Sequence, residues 1–136
     1  MTSAALDLQK GLYQLLKGNA PLAAVLGGSR VFDDVPQRTE LPYVTFGQSL
    51  MRDWSPGSEA GHEHVVTLHA WSRAAGRKQV HEIMDVLVEV LHDQPIGLLS
   101  HRVVNLRHEY SDARRDADGE IYHGSVRFRL VTEPLG

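Results

Sequence analysis

Four stretches of the chain alternate apolar and polar residues with a period of two, and two others repeat apolar residues at helical spacing. The first alternating run is Pro42 to Leu50. Val44, Phe46, Gln48 and Leu50 point one way there, and Tyr43, Thr45, Gly47 and Ser49 the other. In the second, His64 to Ser72, Val66, Leu68 and Ala70 oppose Val65, Thr67, His69 and Trp71. Val103 to Tyr110 places Val104, Leu106, His108 and Tyr110 on one face. Ile121 to Val131 places Tyr122, Val126, Phe128 and Leu130 against Arg127, Arg129 and Val131. Each pattern predicts a strand with two unlike faces. The segment joining the first two, Met51 to Gly61, is far longer than a tight hairpin needs. It carries a Trp, an Arg and two acids, which predicts a projecting arm made for contact with a neighbouring subunit.

The helical spacing predicts α-helix at Ala4 to Lys17, through Ala5, Leu8, Leu12, Leu15 and Leu16, with Ser3 as N-cap and Gly18-Asn19 as the stop. A second long helix is predicted from Gly76 to Asp93, with Val80, Ile83, Met84, Leu87 and Leu91 as its buried stripe. Gln94-Pro95 ends it, because Pro disfavours helix in the residue before it. Pro21 to Leu26 reads as a short helical turn closed by Gly27-Gly28. Arg30 to Asp33 reads as a short strand, and Ser111 to Gly119 as a charged turn ending in the hairpin signal Asp118-Gly119. Strands and helices are grouped rather than strictly alternating. The expected fold class is therefore α+β: a mostly antiparallel sheet of four to five strands with two amphipathic helices packed on one face. The other face, with Thr67, His69, Arg107, Arg127 and Arg129, is left for solvent or partner subunits.

With 136 residues and no internal repeat or linker, a single domain spanning 1–136 is expected. A chain of this size buries about two-thirds of its unfolded surface, enough for one core without staples. Net charge is -3, which argues against a dedicated nucleic-acid binder. The absence of cysteine excludes disulfides, thiolate nucleophiles and cysteine-ligated zinc. The start lacks a basic segment and an apolar run of signal-peptide type, and no apolar run approaches the ~20 residues of a membrane helix. A soluble protein without an export signal of its own is expected.

Candidate chemistry is sparse. His62 and His64 share a face two residues apart and could hold a metal given a third ligand, but Glu63 points away and His69 has the opposite parity. His81-Glu82 begins no HExxH motif, because the second histidine position is Asp85. His92 fits a helix C-terminus. No G-x-S-x-G elbow exists; Gly57-Ser58 stands in the polar loop. Asp33-Asp34, Asp112, Asp116 and Asp118 sit beside turns, where Asp is common for backbone reasons. Gly27-Gly28 precedes no phosphate-binding signature. No catalytic residue, metal or cofactor is therefore expected. Trp71, ending a strand, is expected in the core. Trp54, with Arg52 and Asp53 before it and Ser55 after it, has the composition of an interface hot spot. Arg114, Arg115 and Asp116 are either a solvated turn or a charged contact.

The run Leu41-Pro42-Tyr43-Val44-Thr45-Phe46-Gly47, then Asp53-Trp54, then His64 to Arg73, is followed by Gly76 and an amphipathic helix. Together with Asp118 to Arg129, it resembles the tail-completion (tail terminator) proteins of long-tailed phages, prophages and gene transfer agents. The resemblance runs from about Leu6 to Glu133. It implies a structural virion protein and not an enzyme, assembled in the bacterial cytoplasm and found at the head–tail junction. Copies would form a ring, expected to be six-fold, that caps the head-proximal end of the tail tube and stops its growth. The implied partners are further copies of the chain, the tail tube protein and the head connector stopper. No membrane and no specific nucleic-acid contact is implied, with DNA passing through the lumen. On this reading Met51, Arg52, Asp53, Trp54, Ser55, Arg114, Arg115 and Asp116 are the expected interface residues. Two alternatives are compatible with the sequence: a connector stopper or joining protein, and a small metal-dependent enzyme using the histidines.

Overall fold

Helix α1 (Ala4–Lys17) forms where the apolar spacing places it, and the Ser3 hydroxyl accepts the Leu6 amide as N-cap. Helix α2 (Ala20–Leu26) is capped by Asn19 and ends at Gly27 in the left-handed region, φ 80°. The chain continues as β1 (Val31–Phe32), β2 (Tyr43–Asp53), β3 (His62–Ser72), α3 (Lys78–Leu91), β4 (His101–Arg115) and β5 (Tyr122–Pro134). The computed structural model describes residues 2–54, 60–73 and 76–135.

The five strands form one sheet in the order β1-β2-β3-β5-β4. All pairings are antiparallel except β1 with β2. The fold is thus α+β with a mostly antiparallel sheet, as the patterning predicts. All three helices contribute to one core with the inner face of that sheet: α3 lies across β3, β5 and β4, while α2 packs between α3 and α1. The predicted α3 stripe of Val80, Ile83, Met84, Leu87 and Leu91 is the buried one. Helix α2 adds Leu22 and Leu26 to the cover. Gly124 on β5 lets α3 come this close, since a Cβ there would overlap the Met84 sulfur and lie 3.1 Å from Val80 Cγ2.

Three bulges alter the faces that simple alternation predicts. In β2, Gly47 and Gln48 together oppose Thr67, so the parity of Leu50 inverts and its side chain stands exposed on the outer face. In β4, Val104 and Glu109 are each an extra residue against β5. Leu106 and His108 keep the inner face. Val104 is pushed out to solvent, and Tyr110 lies on the outer face opposite Arg127.

All four long strands also run further than the sequence patterning predicts, with β3 beginning at His62 and β5 continuing to Pro134. Met51, Arg52 and Asp53 belong to β2 rather than to the connecting loop. Ser111 to Arg115 belongs to β4 rather than to a charged turn. Polar side chains are tolerated there because one face of the sheet is open, and the pairing partner supplies the order that local propensity lacks. Trp71 is likewise not in the core. It is half-buried on the outer face, and its indole N–H donates to Thr45 Oγ1 at 3.0 Å.

Candidate functional site

The outer face of the sheet carries no helix among the described residues, and its side chains hold one another in place. At the end where β3 begins, the Glu63 carboxylate bridges two guanidiniums, accepting from Arg52 on β2 and from Arg129 on β5 at 2.6 Å. The hydrogen bonds from Arg52 and then Arg129 hold this carboxyl below the usual carboxylate range. Further along, Arg127 pairs with Glu109 at 3.2 Å and lies over the Tyr110 ring, whose hydroxyl donates to Asp112 at 2.7 Å. The resulting surface is charged yet largely self-compensated.

The sheet end nearest the β4–β5 turn holds an aromatic and imidazole cluster. An Arg114 guanidinium nitrogen lies 3.1 Å from His123 Nδ1, and His123 Nε2 lies 2.6 Å from His69 Nδ1. Arginine can only donate, so His123 accepts at Nδ1 and carries its proton on Nε2, which it gives to His69. Both rings are therefore neutral. Burial lowers both pKa values, reinforced for His69 by Arg114 and for His123 by His69 and Arg114.

Asp7 and His101, which sequence reasoning passes over, shape the opposite end. Asp7 on α1, 2% exposed, accepts the Leu99 and Ser100 amides and lies 2.9 Å from His101 Nδ1. Burial acts to raise its pKa, but the His101 hydrogen bond and the two amides outweigh it and the net shift is downward. This fastens the N-terminal helix to the start of β4. Only its polarity beside the core position Leu8 marks Asp7 in the sequence. His64 is fully buried on the inner face, 2.8 Å from Thr132 Oγ1. His62 and His64 do lie on one side, with ring centroids 6.4 Å apart. Among the described residues, no group of three His, Asp or Glu side chains is placed to hold a metal ion.

The expected interface residues divide between the two ends of the sheet. Met51, Arg52 and Asp53 finish β2, level with the start of β3, and Trp54 follows with its amide donating to Gly61. Arg114 and Arg115 finish β4 at the far end, paired with His123 and Tyr122; Asp116 closes the turn by donating to Ile121. Ser55 lies outside the described residues, as does much of the Met51 to Gly61 arm. The two ends differ in chemistry. The arm end gathers exposed apolar side chains: Met51, Trp54, Leu99 (87% exposed) and Leu135, with a cleft between Met51, His101 and Leu135. The turn end carries Arg114, Arg115, Asp116, Asp118 and Glu120.

A family model described as "Tail completion protein gp17" matches residues 10–133. The chain belongs to this family of tail-completion proteins. Among solved structures it is similar to a chain described as "Virion of native gene transfer agent (GTA) particle", with 28% sequence identity and a TM-score of 0.87. That match covers 97% of this tail-completion protein and 99% of the other chain. No curated protein matches it in sequence. The family agrees with the resemblance carried by the Leu41 to Arg73 run. No described helix is long and apolar enough to cross a membrane.

Proposed function

We propose that this tail-completion protein is a structural part of a virion or virus-like particle. Copies form a ring, six-fold by analogy, on the head-proximal end of the tail tube; the ring ends tube growth and presents the surface that meets the head connector. The action is binding alone. The observation that carries the reading is the chemical difference between the two ends of one sheet. A ring that joins two unlike partners needs two unlike surfaces. Here an apolar end around Met51, Trp54, Leu99 and Leu135 lies opposite a charged end around Arg114 and Arg115. Apolar side chains exposed in this number on one end favour a protein partner. The similarity to a chain of a gene transfer agent virion supports placement in such a particle.

The test is negative-stain imaging of purified protein mixed with tail tubes, beside a mass measurement of the protein alone. Rings on one end of tubes of fixed length are expected. Protein that never engages tubes, but binds connector rings, would replace this reading with that of a connector stopper.

A further inference from the structure

The ring reading leaves open how one copy holds the next, and the sheet edges bear on that question. The outer edge of β4 is closed along its first half by the chain itself. Gly97 bridges to Arg102, the Asp93 amide donates to Leu106, and the His108 amide donates to the His92 imidazole at 2.9 Å. From Glu109 to Arg115 the same edge has no strand partner among the described residues. At the other side of the sheet, β1 covers β2 only opposite Val44 and Thr45. From Gln48 to Arg52 that edge also has no strand partner among the described residues. Bare edges of this length template pairing with another chain unless they are used.

We infer that copies of the chain join edge to edge, with β2 residues Gln48 to Arg52 of one copy pairing antiparallel with β4 residues Tyr110 to Arg114 of the next. The inference rests on the ring reading above. The strand directions agree with it: within one chain β2 and β5 run one way and β3 and β4 the other, so a second β2 beside β4 is antiparallel. The side-chain faces agree as well. With Leu50 set opposite Asp112, outer-face residues meet outer-face residues, and Met51 meets Ser111 on the inner face. Met51 then points to the cleft between α3 and β4 lined by Met84, Val88, His108 and Ser111. Arg52 comes opposite Tyr110.

The offset agrees with closure. Leu50 is level with Arg107 through Val65 and Arg129, whereas Asp112 is level with Ser125. The neighbour is therefore displaced by about four residues over four strands. At ~3.4 Å per residue and ~4.8 Å per strand, this inclines the strands by roughly 35°. Tilts of about 35–45° are those at which sheets close into barrels. The contact joins two different edges, so it is head-to-tail and generates a ring when the rotation closes.

The chain has no cysteine, which makes a direct test clean. Met51→Cys and Ser111→Cys are introduced together, with Leu50→Cys and Asp112→Cys as a second pair. Within one chain β3 and β5 separate the two positions, so a disulfide between them must join two copies. Assembly on tail tubes is followed by oxidation, denaturing electrophoresis and imaging. The expected result is a ladder of covalent oligomers ending at the ring number, absent from every single-cysteine variant. Rings visible by imaging with no ladder from either pair would overturn edge pairing and leave the ring standing. Absence of rings from the unmodified protein would overturn both.

Discussion

The imidazole of His123 lies flat on the indole of Trp71, with centroids 4.0 Å apart and planes within 3° of parallel. The two residues are directly opposite on β5 and β3, and His123 is hydrogen-bonded in turn to His69 and Arg114. Burial holds both imidazoles below their ordinary pKa of 6.5, and the Arg114 guanidinium beside them adds to the shift. A depressed histidine pKa means that the unfolded chain binds more protons below pH 6.5. Stability is therefore expected to fall as pH drops from about 6.5 toward the folded values. In Arg114→Ala the His123 titration, followed by NMR, should move upward and the acid loss of stability should shrink. An unchanged His123 titration would show that Arg114 has no part in setting it.

His64 makes a sharper case. Burial, and then the nearby positive charges of His62 and His101, lower its pKa to about 4. It stays neutral, with Thr132 as its partner, through the range in which free histidine charges. Its contribution to stability is complete above pH 6.5 and is lost progressively as pH falls toward 4. Urea unfolding of wild type and His64→Gln across that range should show a smaller acid-side decline in the variant. Equal slopes would contradict the buried neutral state.

Gly124 is a packing position. Replacing it by Ala forces a methyl into the space of Met84 and Val80, and α3 must shift or Met84 must leave its rotamer. A loss of about 1–3 kcal/mol is expected from urea midpoints, as for other overpacked sites. Met84→Ala in the same chain should recover part of it, because the two changes meet at one contact.

Trp54 follows the end of β2 and is 44% exposed, so little of the fold depends on its ring. Trp54→Ala should unfold at close to the wild-type urea concentration while weakening assembly on tail tubes. Unchanged assembly would remove this residue from the interface.

Glu63 joins three strands through Arg52 and Arg129. Its carboxyl is held below 4.5, so its contribution is present above that pH and is lost as pH falls through the folded value. Glu63→Gln should lower the thermal midpoint at pH 7 and reduce the gap to wild type at pH 3. A gap that persists at pH 3 would assign the effect to packing rather than charge.

The amphipathic stripes and caps were legible from the chain alone. Ser3 and the Leu8, Leu12 and Leu16 spacing define α1, and the Val80 to Leu91 stripe defines α3, because helix periodicity depends on neighbours a few residues apart. The polar face of β5, with Arg127 and Arg129, was legible for the same local reason. So was the family resemblance in the Leu41 to Arg73 run.

What local pattern misses is the effect of a partner strand. An extra residue at Gly47-Gln48, Val104 or Glu109 inverts every side chain beyond it, and nothing within β2 or β4 alone marks two of these three places. Leu50 and Tyr110 therefore lie opposite to where alternation sets them. The strand extensions to Asp53 and Arg115 depend on pairing with β3 and β5. Trp71 is on the outer face because that face is open, and Asp7 matters because a loop 92 residues away brings it Leu99. Local pattern is enough to place the helices and the middle of each long strand and to carry the family resemblance. The strand ends, the bare edges and the side chains that share an end of the sheet follow from contacts between residues distant in the chain.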